Sequence, residues 1–160
     1  MKNNGFLICL VIAVAIGQVY SQCPRGWTHH YNSCYLLHSK DKFDWIESQM
    51  FCAGYNAHLA YVDDYTENTF IKGMIVQDIH ESGAGVWIGA SDYEVEGHYV
   101  WYGTGKPVTF SDWQPGEPNN HQEDCLVYYS NFNWKWADGN CHDQYYFICE
   151  KPVENVIDVG

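Results

Sequence analysis

Six cysteines, Cys23, Cys34, Cys52, Cys125, Cys141 and Cys149, bracket most of this chain and limit what it can fold into. A seventh, Cys9, sits in an apolar run from Phe6 to Ile16 that follows Lys2. A positive start, a short apolar run and Val19-Tyr20-Ser21 read as a secretory leader over residues 1–21, cut near Ser21 or Gln22. The run is shorter than the roughly 20 residues a membrane span needs, and no later run is long enough either. The mature chain is therefore expected to be soluble and extracellular. Cys9 leaves with the leader. An even number of cysteines in an exported chain reads as three disulfides, with fifteen connectivities open. Zinc is the competing reading, but it prefers close Cys-x-x-Cys pairs, and none occurs.

About 138 of the 160 residues remain, enough for one domain over 22–152 and a loose tail over 153–160. Losing Lys2 takes the formal net charge from −12 to −13. A surface this acidic excludes nucleic acid as a partner, because phosphates attract basic faces. It is compatible with cation binding.

The domain divides into a helical half and a strand half. Cys23 to Tyr35 suits a small hairpin closed by Cys23 and Cys34. Phe43 to Tyr55 reads as a first helix, capped by Asp41 or Asp44 and ended by Gly54. Ala57 to Val62 is a short apolar connection. Asp64 to Ile79 reads as a second helix. Asp64-Tyr65-Thr66-Glu67 resembles a capping box, and Phe70, Ile71, Met74, Ile75 and Ile79 recur at helical intervals. From Val86 onward short apolar runs suit strands: Val86–Gly89, Tyr99–Tyr102, Cys125–Tyr129, Trp134–Trp136 and Tyr145–Cys149. Trp87, Trp101, Trp134, Trp136, Tyr128 and Tyr129 are core candidates. Helices followed by strands give an α+β class.

Between the strands lies Gly103 to Asp124, far longer than the usual connection of about 4–6 residues. Phe110, Trp113 and the following Cys125 argue that it is ordered. Its second half, Trp113-Gln-Pro-Gly-Glu-Pro-Asn-Asn-His-Gln-Glu-Asp-Cys125, concentrates oxygen donors at Glu117, Asn119, Asn120, Glu123 and Asp124. Ca²⁺ takes about six to eight such oxygens. A solvated acidic loop is the plain alternative, but Pro118 between two donors is uncommon in one. A cis bond before Pro118 would turn Glu117 and Asn119 toward one point. The eight histidines form no spacing typical of a metal or catalytic set, although His121 lies in the loop.

Four motifs together resemble a C-type lectin domain, from Cys23 to about Lys151. They are Trp87-Ile88-Gly89, Glu117-Pro118-Asn119, Trp136-Ala137-Asp138 followed by Cys141, and Phe147-Ile148-Cys149-Glu150. The nearest flavour is that of secreted single-domain invertebrate lectins, perlucin-like mollusc proteins included. The resemblance implies two helices packed on short antiparallel strands, with a long irregular calcium-binding loop. It implies the pairs Cys52–Cys149, Cys125–Cys141 and Cys23–Cys34. It places Glu117, Asn119, Glu123 and Asp138 around one Ca²⁺ that a hexose joins through two vicinal hydroxyls. Glu-Pro-Asn goes with mannose, glucose and N-acetylglucosamine, whereas Gln-Pro-Asp goes with galactose. A second Ca²⁺ would fall to Asp92, Glu96, Asn120 and Asp124. Two departures stand out: Ala137 occupies the position where the family has Asn, removing a neutral ligand and a donor to sugar, and the loop between Asn119 and Glu123 is shorter than is common in the family.

The leading expectation is a secreted, calcium-dependent, mannose-type glycan-binding protein that recognises microbial or self glycans. Single sites of this kind are weak, so avidity through a homo-oligomer would fit. The alternative is a related fold that binds protein or mineral without sugar. An enzyme is not expected. Glu117 and Glu123 as a glycosidase pair would, as joint calcium ligands, have no free acid.

Overall fold

The structure, a computed structural model, describes residues 18–158. The expected leader therefore lies almost wholly outside the described residues. In chain order the elements are β1 (Gln18–Gln22), β2 (Thr28–His30), β3 (Ser33–Phe43), α1 (Trp45–Ala53), β4 (His58–Leu59), α2 (Tyr65–Asp78) and β5 (Gly85–Ser91). There follow β6 (Val100–Trp101), β7 (Lys106–Pro107), β8 (Cys125–Tyr129), a 3-10 turn (Ser130–Phe132), β9 (Lys135–Gly139), β10 (Tyr145–Pro152) and β11 (Glu154–Asp158). The class is α+β, as the sequence indicates.

Asp44 rather than Asp41 starts α1. Its carboxylate accepts from Glu47 N at 2.7 Å, and Glu47 Oε2 accepts from Asp44 N at 3.2 Å, closing a capping box. The helix is shorter than expected, because Phe43 ends β3 and Gly54 stops the last turn. Trp45, Ser48, Gln49 and Cys52 form its buried face. In α2 Asp64 caps Glu67 N at 2.9 Å. The return bond goes one residue further back than a true box, from Asp63 N to Glu67 Oε2 at 2.8 Å.

The core gathers on β5, in which every residue is buried. It pairs antiparallel with β6 and β8 and parallel with β10. That parallel pair departs from the antiparallel strands expected. β10 also carries β3 and β4, and β8 carries β9. Two indoles brace β5: Trp45 Nε1 of α1 donates to Ile88 O at 2.8 Å, and Trp87 Nε1 donates to Phe43 O at the end of β3 at 3.1 Å. Gly89 is required where it stands. A Cβ there would sit 2.6 Å from Leu59 O, across a backbone contact in which Gly89 N donates to Ala60 O at 2.9 Å.

The three disulfides are Cys23–Cys34, Cys52–Cys149 and Cys125–Cys141. Cys52–Cys149 spans a sequence separation of 97. In the chain-entropy view a closure of that length stabilises by about 4–5 kcal/mol. It joins α1 to β10. The short Cys125–Cys141 bridge ties the start of β8 to the segment after β9.

Three expectations are corrected. β3 runs through Phe43, where only a hairpin ending near Tyr35 was expected; its middle mixes half-buried and exposed residues without clean alternation. Trp134 precedes β9 in a left-handed conformation, φ 58°, rather than starting the strand. The tail after Pro152, expected to be loose, pairs in the full-length chain as β11 with β1, most of which belongs to the expected leader.

The long loop is held at its middle. Trp113 packs edge-on against Tyr99 and Trp136, with centroids at 5.0 and 5.8 Å. Main-chain bonds join Gln114 N to Trp136 O at 2.8 Å and Trp136 N to Asp112 O at 2.9 Å. The Asp112 carboxylate receives Asn68 Nδ2 and Lys72 Nζ at 2.9 Å each and Lys135 Nζ at 3.1 Å. Asn68 in turn accepts from the buried Tyr128 hydroxyl at 2.6 Å. Burial raises the Asp112 pKa, but the bonds from Asn68, Lys72 and Lys135 outweigh it and hold the carboxyl below its usual range. A depressed carboxylate stabilises the fold above its unfolded pKa and loses that contribution as pH falls. Asp112→Ala should cost about 1.5–3 kcal/mol at neutral pH, with a smaller cost at acid pH, measured by urea unfolding. A cost below about 0.5 kcal/mol would mean that the loop is not clamped there.

Candidate functional site

Glu117 and Asn119 lie on the loop on either side of Pro118, and the Glu117–Pro118 bond is cis. The Asn119 amide donates to Glu117 Oε2, so the two side chains do meet. Gly116, at φ 98°, takes the left-handed turn before them. Asp138 comes from β9, where it pairs in register with Leu126 of β8. It is only 6% exposed. Its carboxylate accepts from Asn119 N at 3.1 Å and from Asn120 N at 2.9 Å. The loop backbone is thus fastened to the strand by the residue that resembles a ligand.

Glu123 is brought to the same place by a turn in which its N–H donates to Asn120 O at 2.9 Å. Glu117, Glu123 and Asp138 line a hollow of about 190 Å³ with Ala137 in its wall. Burial, then the hydrogen bond and charge of Asp138, push the Glu117 carboxyl up to about 7, although the Asn119 amide pulls the other way. Burial and the Asp138 charge also raise Glu123. No Lys, Arg or His lines this hollow. Three carboxylates whose charges are unmet by a base are a donor set that fits a divalent oxygen-seeking cation. They flank the hollow without closing on one point. Among the described residues no three His, Cys, Asp or Glu side chains form an assembled metal centre.

The second expected set is brought together in part. Asp92 is 3% exposed, and its Oδ2 accepts from Gly97 N at 2.8 Å. Its Oδ1 is buried without a partner. Burial raises the Asp92 carboxyl, and the charges of Glu96 and Asp124 raise it further against the Gly97 bond. Asp92 N donates to Asp124 O at 3.1 Å, so these two segments touch. An orphaned buried carboxylate oxygen again fits a cation. Glu96 instead pairs with His121 at 2.8 Å, with both side chains well exposed. Asn120 belongs to the Asp138 side, where its backbone bonds.

Two residues of the first hollow had no signal in the sequence. Asp143 and Tyr145 line it opposite the loop, and the Tyr145 hydroxyl reaches Asp143 Oδ2 at 3.4 Å. A larger cavity, about 420 Å³, lies elsewhere, beside Tyr35, Glu67 and Glu150. Its two best-buried carboxylates, Glu67 and Glu150, already have donors within the protein. Glu150 takes Ser33 Oγ at 2.7 Å and Tyr61 N at 3.1 Å, and Glu67 takes the Tyr35 hydroxyl and Asp63 N. Size therefore does not make it the functional site. Glu67, Tyr35 and Glu150 thus tie α2 to β3 and β10.

Comparison with known proteins bears on the family and the fold. The family described as "Lectin C-type domain" matches residues 41–151. A perlucin-like protein of Mytilus galloprovincialis is 31% identical over 146 residues, covering 90% of this chain and 92% of that one. Human C-type lectin domain family 17 member A is 37% identical over 130 residues, and the chain spans about a third of its length, 32%. Among solved structures, the mouse scavenger receptor C-type lectin carbohydrate-recognition domain is matched with a TM-score of 0.73. It is 28% identical, and the match covers 83% of this chain and all of that one. A calcium-independent type II antifreeze protein is matched with the same TM-score and identity, over 84% of this chain and 98% of that one. With the fold, the three disulfides and the matched segment in agreement, the chain belongs to the C-type lectin domain family.

Proposed function

We propose that this protein is a calcium-dependent glycan-binding lectin of the mannose, glucose and N-acetylglucosamine type. The observation that carries the proposal is the unmet charge around one hollow, where Glu117 is driven up to about 7 by burial and by Asp138. Glu117, Asn119, Glu123 and Asp138 would hold one Ca²⁺, and Asp92, Glu96, Asn120 and Asp124 a second. The bound cation supplies coordination for two vicinal sugar hydroxyls. Glu117 accepts from one hydroxyl, and the Asn119 amide donates to the other. That order of acceptor and donor is the basis for the mannose-type assignment. Removal of residues 1–21 would release the lectin domain, 22–152, to the outside of the cell, where a role in recognising microbial glycans fits. Cleavage at that point would also take most of β1.

Ala137 favours a second reading. It removes a ligand and a donor, and a calcium-independent antifreeze protein shares the fold. A relative that binds protein or mineral without sugar is therefore the alternative, and calcium-dependent retention on mannose resin discriminates between the two.

Two outcomes test the reading. Ala137→Asn restores one ligand and one donor. At about 0.5–1.5 kcal/mol for a restored hydrogen bond, calcium and mannose affinities should rise about two- to tenfold by calorimetry. No change in either would favour the alternative.

The other outcome is a pH dependence. The raised Glu117 pKa means that protonation favours the metal-free fold, so metal-free stability from this group grows as pH falls through about 7. Calcium requires the carboxylate and competes with that proton. The calcium-induced rise in Tm should be full near about pH 8, shrink below about pH 7 and be largely gone near about pH 5. That is a higher range than the value of about 4 expected of ordinary carboxylates. A calcium effect that stays constant across this range, or is absent at its upper end, would count against the site.

A further inference from the structure

The hollow beside Asp138 has a second half that calcium ligation leaves unused. On the face of the β8–β9 pair opposite Trp136, Ala137 lies in register with Val127, and Gly139 with Cys125. Gly139 is fixed by the Trp87 ring, which a Cβ would meet at 3.0 Å. Two small residues at alternate positions of one strand leave the floor low. Aromatic rings stand around it: Tyr129 with Phe132 at 5.3 Å between centroids, and Tyr129 with Tyr145 at 6.3 Å. Asp143 sits at the rim beside the Tyr145 hydroxyl.

The geometry points to a subsite for a quaternary ammonium head, in which Tyr129, Phe132 and Tyr145 face the methyl groups and Asp143 supplies the counter-charge. Cations are drawn to aromatic faces, and a cage of rings with a carboxylate at its edge suits a trimethylammonium group. The volume, about 190 Å³, is below the roughly 300 Å³ at which ordinary ligand pockets begin, so it takes a head group rather than a whole sugar. Charge selects the same class. Four carboxylates line the hollow, Glu117, Glu123, Asp138 and Asp143, and no base does. Fully ionised, their formal charge is −4, and a bound divalent cation leaves −2; a proton on Glu117 in the metal-free protein leaves −3, so the lining stays attractive to a cation in either state. The subsite therefore does not depend on the calcium reading, although the two share a wall.

The test is calorimetric titration of the calcium-loaded protein with choline chloride and with its neutral carbon isostere, in which a tert-butyl group replaces the trimethylammonium. Choline should bind at least about threefold more tightly than the isostere, and more tightly than ethanolamine, whose ammonium is primary. Phosphocholine and choline distinguish a phosphate-linked head from a free one, and binding of either supports the subsite. Phe132→Ala should weaken choline binding at least about threefold and leave calcium affinity unchanged. Ala137→Asn fills the hollow, so it should weaken choline binding while calcium binding strengthens. Equal binding of choline and the isostere overturns the proposal without reference to any variant. So do tighter binding of ethanolamine and the absence of choline binding. Choline binding with no calcium binding would sink the lectin reading and leave this one standing.

Discussion

A buried carboxylate has to be met by donors, and Asp138 is met by the main-chain N–H groups of Asn119 and Asn120. Charge-assisted hydrogen bonds of this kind are about twice as strong as neutral ones. Because Asp138 is fixed by its strand, the loop that bonds to it is fixed as well. The direction in which Glu117 and Asn119 face follows from that attachment. Cys125–Cys141 closes the ring from the other side, joining the end of the loop to the segment beyond β9. The polarity of the sugar contacts proposed for this pair therefore rests on one carboxylate in a neighbouring strand.

A second clamp holds the same loop further back. Asp112 meets Asn68 and Lys72 of α2 and Lys135 of β9, so helix, sheet and loop share one acceptor. Between the two clamps Trp113 lies on Trp136. The contrast between the clamps is instructive. Asp112 is surrounded by donors and bases and falls below its usual range. Glu117 is raised first by burial and then by its acidic neighbours Asp138 and Glu123, against one amide donor, and reaches about 7. The first arrangement is complete within the protein, whereas the second is left short of positive charge. That difference separates a structural carboxylate from a candidate ligand.

Much of this was legible in the sequence, for definite reasons. The helices announce themselves through Asp44, Asp64 and the spacing of Ile71 and Ile75, because caps and helical periodicity are local. Glu117-Pro118-Asn119 and Trp136-Ala137-Asp138 are short motifs whose meaning travels with their order. What stayed hidden was non-local. Asp112 has no motif, since its partners lie in α2 and β9. Asp143 and Tyr145 enter the hollow only because β10 passes it. β3 is longer than its pattern suggests, because Ser39, Lys40 and Asp41 break the apolar run and the register with β10 shifts there, before Phe43 pairs with Tyr145. The tail carries no local signal for a strand, because its partner among the described residues, β1, lies at the other end of the chain.

The central claim is that Glu117 and Asn119 set the polarity of a calcium-bridged sugar site. The most direct test is exchange of the two chemistries, Glu117→Gln with Asn119→Asp, followed by competition on mannose resin in calcium. The account predicts that wild type is retained in calcium, released by chelator and displaced by mannose before galactose. The double variant should reverse that order while still requiring calcium. Retention of wild type that ignores chelator, or an order of sugars that the exchange leaves unchanged, would contradict it.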